Sequence, residues 1–257
     1  MRRATTRAQP RILLRFTGPG RTLALAAAGV AAGALLVSCA ALEGTPLFTD
    51  LRTIEPIHGS ASAGAQKSTV CASCHGADGV PVAPIFPRLA GQRADYLYHR
   101  LASFHHADPK DPYYSASPMT ALAAGLSDED MRDLATYFAS QPPHALEPPP
   151  PSASASMDHG ERLYAQGDPE HGIPPCQGCH GADAKGPPLS ATYLAAYPAL
   201  RGQNAPYLSA RLTNYRNAKP ADTSNTRIMH GVAETLDDGA IQDISAWLSS
   251  LSPTPSP

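Results

Sequence analysis

Aromatic side chains are scarce in this chain of 257 residues: they make up 6% of it, with a single Trp. A core filled by stacked rings is excluded, and small cores completed by a large apolar group are expected instead. Strand signals are missing as well. No stretch shows a convincing alternation of apolar and polar residues, which argues against a sheet-built fold. Excess positive charge is absent too. The chain carries 20 basic and 22 acidic residues, but Arg2, Arg3, Arg7, Arg11, Arg15 and Arg21 all precede residue 39, where no acid occurs. Residues 39–257 therefore hold 14 basic and 22 acidic side chains, a net of −8. A nucleic-acid-binding domain is usually basic, so no nucleic-acid partner is expected. An acidic body is instead steered toward positively charged docking patches.

Cysteine is also sparse, at five residues, and four of the five fall in one pattern used twice. Cys71-Ala72-Ser73-Cys74-His75 and Cys176-Gln177-Gly178-Cys179-His180 are both C-x-x-C-H. This is the attachment pattern of a c-type haem: two thiols add to the porphyrin vinyl groups and the adjacent His supplies an axial nitrogen. A disulfide framework needs no His after each pair. A structural zinc site built from two pairs separates them by roughly 15–20 residues, whereas Cys71 and Cys176 are 105 apart. A thioredoxin-like pair belongs beside strands, and none are indicated. Two covalent haem c groups are therefore expected.

The fifth cysteine has a different use. Residues 1–38 read as a targeting segment, with an arginine-rich start and an apolar run from Leu23 to Val37. That run ends in Leu36-Val37-Ser38-Cys39, similar to a bacterial lipobox, in which Cys39 would be lipidated after cleavage. Two other readings stay open: cleavage near Ala40-Ala41 with Cys39 incidental, or an uncleaved anchor, since Leu23 to Leu42 is just long enough at ~20 residues. All three export the body of the chain. The expected location is the periplasmic face of a bacterial membrane, either lipid-anchored or soluble.

The exported part repeats itself. Phe86-Pro87-Arg88-Leu89-Ala90-Gly91-Gln92, Tyr96-Leu97 and Arg100-Leu101 recur as Tyr197-Pro198-Ala199-Leu200-Arg201-Gly202-Gln203, Tyr207-Leu208 and Arg211-Leu212, at a constant offset of 111. Met119, Leu134 and Tyr137 recur as Met229, Ile244 and Trp247 at 110. A repeat of this length is a domain duplication. The expected organisation is a tether over 39–60, domain 1 over 61–141, a proline-rich extended linker over 142–156, domain 2 over 157–252 and a disordered tail over 253–257. Each half reads as helical. Helices are expected over Ala61 to Val70, Asp95 to Phe104 and from Ser127, an N-cap with Asp130 at the capping-box position. In the second half they cover Gly160 to Gln166, Pro206 to Tyr215 and Asp237 to Leu251. The fold class is all-α, with two tandem helical domains.

An electron-transfer haem is normally closed by a second axial ligand. Met119 and Met229 hold equivalent repeat positions, each in a stretch without helical signal, and are read as sixth ligands to the irons of His75 and His180. Met131 lies on an apolar helix face and reads as core; Met157 has no counterpart. Among the histidines, His105, His106 and His230 are the rival ligands, and His58, His99, His144, His159 and His171 read as surface residues. The ligand imidazoles need their second ring nitrogen held, and the carbonyls of Pro87 and Pro198 are the expected acceptors.

These motifs resemble the di-haem cytochrome c4 family, two class I cytochrome c domains in tandem. The resemblance covers roughly residues 61–252 and includes Gly160-Glu161-Arg162-Leu163-Tyr164 through Gly172-Ile173-Pro174. It implies a small helical bundle around each haem. It also implies terminal helices that cross where a small residue meets an aromatic, as Gly64 with Tyr137 and Gly160 with Trp247, and haems that approach across the domain interface. The implied role is an electron carrier rather than an enzyme, with no small-molecule substrate. It would pass electrons from a quinol-oxidising complex or a dehydrogenase to a terminal oxidase. A haem c subunit of a dehydrogenase or oxidase complex, and a di-haem peroxidase, are the competing readings.

Overall fold

The structure is a computed structural model that describes residues 56–108, 110–143, 154–188, 194–217 and 223–252. Residues 1–38, Cys39, most of the tether, linker residues 144–153 (with His144) and the tail lie outside the described residues.

Among the described residues the architecture is all-α, two helical domains in tandem. An isolated antiparallel bridge joins Asp168 and Ile173. The first half contains α1 (Ala61–Lys67), α2 (Thr69–His75), α3 (Ala94–His105), α4 (Pro112–Ser115), α5 (Pro118–Ala123) and α6 (Asp128–Ser140). The second contains α7 (Ser154–Gln166), α8 (Gln177–His180), α9 (Ala205–Asn217), α10 (Ser224–Ala233) and α11 (Asp238–Ser250). No helix among the described residues is long and apolar enough to cross a membrane.

Ser127 and Asp130 act as the sequence indicates, and Asp237, read as the first residue of its helix, is its cap instead. Ser127 Oγ accepts from the Asp130 amide, and the Asp130 carboxylate accepts from the Ser127 amide, closing the capping box of α6. Asp237 caps α11 through the Ala240 amide at 2.7 Å. Three further expectations change. The first helix breaks at Ser68, whose hydroxyl donates to the Ala65 carbonyl at 2.9 Å and competes with the backbone ladder; a second helix then carries the first haem motif. Helix α7 begins at Ser154, so 154–156 is helical rather than extended linker. Its first two turns are held by Ser156 and His159, which both donate to the Asp243 carboxylate of α11. Met119 and Met229 lie on helices α5 and α10. Ser117 with Pro118 at the first position starts α5, and a helix so short leaves no periodic signature.

Each domain is closed by its terminal helices. Helix α1 crosses α6 and α7 crosses α11, the two most extensive helix pairs of the fold. Glycine sits at each crossing: a Cβ on Gly64 would lie 2.1 Å from the Asp133 carbonyl oxygen and 2.6 Å from Tyr137 Cβ. On Gly160 it would lie 2.1 Å from the Asp243 carbonyl oxygen and 2.9 Å from Trp247 Cβ. The buried cores are Leu97, Leu134, Ala135 and Phe138 in domain 1, and a larger cluster around Leu163, Tyr164, Leu208, Ile241, Ile244 and Leu248 in domain 2.

The α1–α6 crossing also carries an ion-pair cluster. Lys67 Nζ lies 2.7 Å from both Asp130 and Asp133, and Asp133 accepts from the Ser60 amide at 2.7 Å. Hydrogen bonds from Lys67 and Ser127 hold the Asp130 carboxyl down to about 2, and Lys67 with Ser60 lowers Asp133. Carboxyls depressed in the folded state stabilise it above the unfolded value, ~3.9, and that contribution disappears as pH falls toward the folded value. We therefore expect the Tm of domain 1 to fall between about pH 4 and about pH 2. In Lys67→Met the acid-sensitive part should be largely gone. Thermal melts followed by circular dichroism across that range check it; parallel curves for the two proteins would overturn it.

The domains meet along a pseudo-symmetric seam. Gln203 of domain 2 accepts from the Arg88 amide at 2.8 Å and donates to the Arg88 carbonyl at 3.0 Å. Gln92 of domain 1 accepts from the Ala199 amide at 2.9 Å and donates to the Ala199 carbonyl at 2.8 Å. Arg88 and Ala199 are repeat equivalents, as are Gln92 and Gln203, so one arrangement is used twice in opposite directions. Both glutamines are buried. Arg93 adds bonds to the Ala195 and Pro187 carbonyls, and Asn204 to the Phe86 carbonyl.

Candidate functional site

The haem motif ends each short helix in the same way. Cys71, Cys74 and His75 lie on α2; Cys176 caps α8, which carries Cys179 and His180. None of these four cysteines is paired in a disulfide. Burial pushes the Cys71 thiol up and that of Cys176 up to about 11, so neither is a thiolate poised for redox exchange. The chain leaves each helix through a glycine with positive φ, Gly76 at 74° and Gly181 at 80°, conformations that a side chain would strain. The turn brings the next segment back beneath the imidazole.

That segment supplies the second-nitrogen partner. His75 Nδ1 lies 3.1 Å from the Pro87 carbonyl oxygen, and His180 Nδ1 lies 3.1 Å from that of Pro198. A carbonyl only accepts, so Nδ1 carries the proton and the lone pair of Nε2 is left for a metal. Burial lowers the pKa of both histidines and keeps the imidazoles neutral, the form a metal needs.

In domain 2 the four groups converge. Cys176, Cys179, His180 and Met229 line one cavity of about 560 Å³, closed on its apolar side by residues such as Leu208 and Ile244. That volume lies in the usual range for cofactor pockets. Domain 1 has the same residues at equivalent positions, with Met119 on α5, but they do not line this cavity. Instead Tyr96 and Arg100 of α3 form its far wall, facing their repeat equivalents Tyr207 and Arg211. Arg211 reaches Tyr113 and stacks over Tyr215 with its guanidinium 4.4 Å from the ring centroid; Arg100 stacks over Phe104 at 4.9 Å. Neither guanidinium forms an ion pair with a described residue. Two cations without a carboxylate partner among the described residues, beside a large apolar cavity, suit a flat apolar group that brings carboxylates of its own. The residues thus fit a haem, and Arg100 and Arg211 would meet its carboxylates. The zinc reading fails: among the described residues no group of three or more His, Cys, Asp and Glu gathers.

Of the other histidines, His105 and His230 are tied to the carbonyls of Ala123 and Tyr215 at 2.9 and 2.8 Å. His171 is exposed beside Asp168. His99 departs from its surface assignment: its Nε2 is buried without a hydrogen-bond partner, and the residue lines the cavity. Sequence reasoning also passed over the Tyr96, Arg100, Tyr207 and Arg211 set and the two glutamines, which it used only as markers of the repeat. Polar residues repeated in register at fixed distance from both haem motifs were the available signal.

The fold and the doubled site define a tandem c-type cytochrome holding two covalent haem c groups. The cytochrome c family model matches residues 61–142 and 157–252, and a cytochrome c4 from Pseudomonas aeruginosa is 39% identical across 75% of this chain and 89% of that protein. The chain belongs to the di-haem cytochrome c4 family of electron-transfer proteins. The crystal structure of reduced cytochrome c4 from Pseudomonas stutzeri is similar to it with a TM-score of 0.64 and 34% identity, covering 76% of this chain and 100% of that one. A thiosulfate dehydrogenase electron acceptor from Thiomonas intermedia is 35% identical, over 72% of this chain and 81% of that protein.

Proposed function

We propose that this chain carries electrons on the periplasmic face of a bacterial membrane, from a quinol-oxidising complex or a dehydrogenase to a terminal oxidase, with lipidated Cys39 confining it to that surface. His75 with Met119, and His180 with Met229, would hold the two haem irons, which when bound would supply the one-electron exchange between ferrous and ferric states. Everything else is done by the protein. Pro87 and Pro198 fix the imidazoles, apolar side chains exclude water, and the thioethers occupy the position a substrate would need. A soft thioether favours the ferrous state and raises the potential relative to a second imidazole. The convergence of Cys176, Cys179, His180 and Met229 on one cavity, with the same set repeated in domain 1, supports this reading.

A second reading, acceptor to a particular dehydrogenase, is favoured by the likeness to the Thiomonas intermedia protein; stable copurification with a catalytic subunit distinguishes it. Mass spectrometry of the mature amino terminus tests Cys39.

The ligand assignment is tested by spectroscopy. The ferric protein should show the weak red-end absorption band of sulfur ligation at both haems. Met229→Ala should lose about half of that band and gain carbon monoxide binding in the ferrous state at one haem; Met119→Ala should do the same at the other. Hydrogen peroxide turnover by the unaltered protein far above that of a single-haem carrier would overturn the carrier reading.

A further inference from the structure

The peptide group between Pro87 and Arg88 is engaged on both sides. Its carbonyl accepts from His75 Nδ1 at 3.1 Å, and its N–H donates to Gln203 Oε1 of the other domain at 2.8 Å. The peptide between Pro198 and Ala199 is engaged in the same way. Its carbonyl accepts from His180 Nδ1 at 3.1 Å, and its N–H donates to Gln92 Oε1 at 2.9 Å. The amide orientation of each glutamine is fixed, because Nε2 donates to the carbonyl of Arg88 or Ala199 and a flipped amide would set donor against donor.

We propose that each of these glutamines is a positioning residue that sets the potential of the haem in the opposite domain, acting through one shared peptide group. The inference rests on the haem ligation given under the proposed function. Hydrogen bonds in a chain polarise one another. An acceptor on the N–H side places more negative charge on the carbonyl oxygen, which strengthens its hold on the Nδ1 proton and makes the imidazole a stronger donor to iron. A stronger donor favours the ferric state. Gln203 therefore lowers the potential of the domain 1 haem, and Gln92 that of the domain 2 haem. Because the two devices run in opposite directions across one seam, opening the seam would raise both potentials together.

The test is a haem-resolved redox titration of the full chain with both haems bound, followed by nuclear magnetic resonance, on Gln203→Met and Gln92→Met. Methionine keeps the length of the side chain and removes both hydrogen bonds across the seam, together with the one each Oε1 accepts from the next amide of its own chain segment, Asn204 or Arg93. Gln203→Met should raise the midpoint potential of the haem on His75 and leave the haem on His180 unmoved; Gln92→Met should do the reverse. In the reduced protein, the Nδ1 proton resonance of the affected histidine alone should shift as its hydrogen bond weakens. A shift at the same-domain haem, equal shifts at both haems, or no shift would overturn the proposal. Should the methionine variants lose haem, Gln203→Glu retains an acceptor for the Arg88 amide in either protonation state, so a raised domain 1 potential there would also overturn it. Two methionine-ligated haems whose potentials ignore both glutamines would sink this inference and leave the carrier reading standing.

Discussion

Replacing Cys71 and Cys74 together by Ser is expected to remove one haem from the chain and, with it, the folded state of domain 1. The main buried cluster of that domain among the described residues is Leu97, Leu134, Ala135 and Phe138, with partly buried side chains around it and only Tyr114, Ala123 and Met131 buried besides. A domain of this length has a stability of only ~5–10 kcal/mol, and removing even one core Phe side chain costs ~3–5 kcal/mol. Taking away an apolar group larger than any side chain leaves too little burial to offset the ordering of six helices. His75 could still bind haem reversibly, but without the thioether links a diluted chain loses it. The counterpart, Cys176→Ser with Cys179→Ser, should be milder. Its domain retains the larger cluster of Leu163, Tyr164, Ile173, Leu208, Ile241, Ile244 and Leu248. Haem content per chain and far-ultraviolet circular dichroism, measured on both double variants, check the prediction. Equal losses of helix in the two, or full helix in the first, would overturn it.

The parts of this molecule legible in its sequence are those fixed by local chemistry. A haem attachment site must place two thiols and an imidazole on one helical turn, so the motif is contiguous and can be read directly. Ser127 with Asp130 and Asp237 cap their helices through neighbours three residues away, which is also a local relation. The repeat made Pro87 and Pro198 visible because two copies at one offset stand out from chance. What escaped notice depends on the other half of the chain. Gln92 and Gln203 reveal nothing of their partners, because these, Ala199 for Gln92 and Arg88 for Gln203, lie more than a hundred residues away. Arg100 and Arg211 look like ordinary helix-face charges until the fold sets them against one cavity. The helices of Met119 and Met229 were missed because one is a six-residue turn started by Ser117 and Pro118. The other, capped by Thr223, opens on the polar run Ser224 to Arg227 and holds its apolar residues Ile228, Met229, Val232 and Ala233 in its last turns, too short a span for a period to be read.

Gly160→Ala is expected to destabilise domain 2 by ~3 kcal/mol or more, at the upper end of what overpacking costs. For a domain of this size that corresponds to a fall in Tm of more than ~10 °C. The added methyl would stand 2.1 Å from the Asp243 carbonyl oxygen, an atom inside the backbone ladder of α11 that cannot swing aside. Relief requires α7 and α11 to separate by about an ångström, and everything packed at the crossing must follow. Trp247 lies 4.9 Å from Tyr164, ring centroid to ring centroid, and the Tyr164 hydroxyl donates to the Gly181 carbonyl at 2.5 Å, directly after the haem histidine. Strain at the crossing should therefore reach the haem, and a shift in the absorption of the domain 2 haem should accompany the lower Tm. The same substitution at Gly231 provides the control. That glycine lies inside helix α10 with nothing within 4 Å of the added methyl, so Ala there should leave stability unchanged or raise it by up to ~1 kcal/mol. Opposite signs for one chemical change at two helical glycines are what the crossing geometry requires. Equal effects would mean that the close approach of α7 and α11 does not exist in solution.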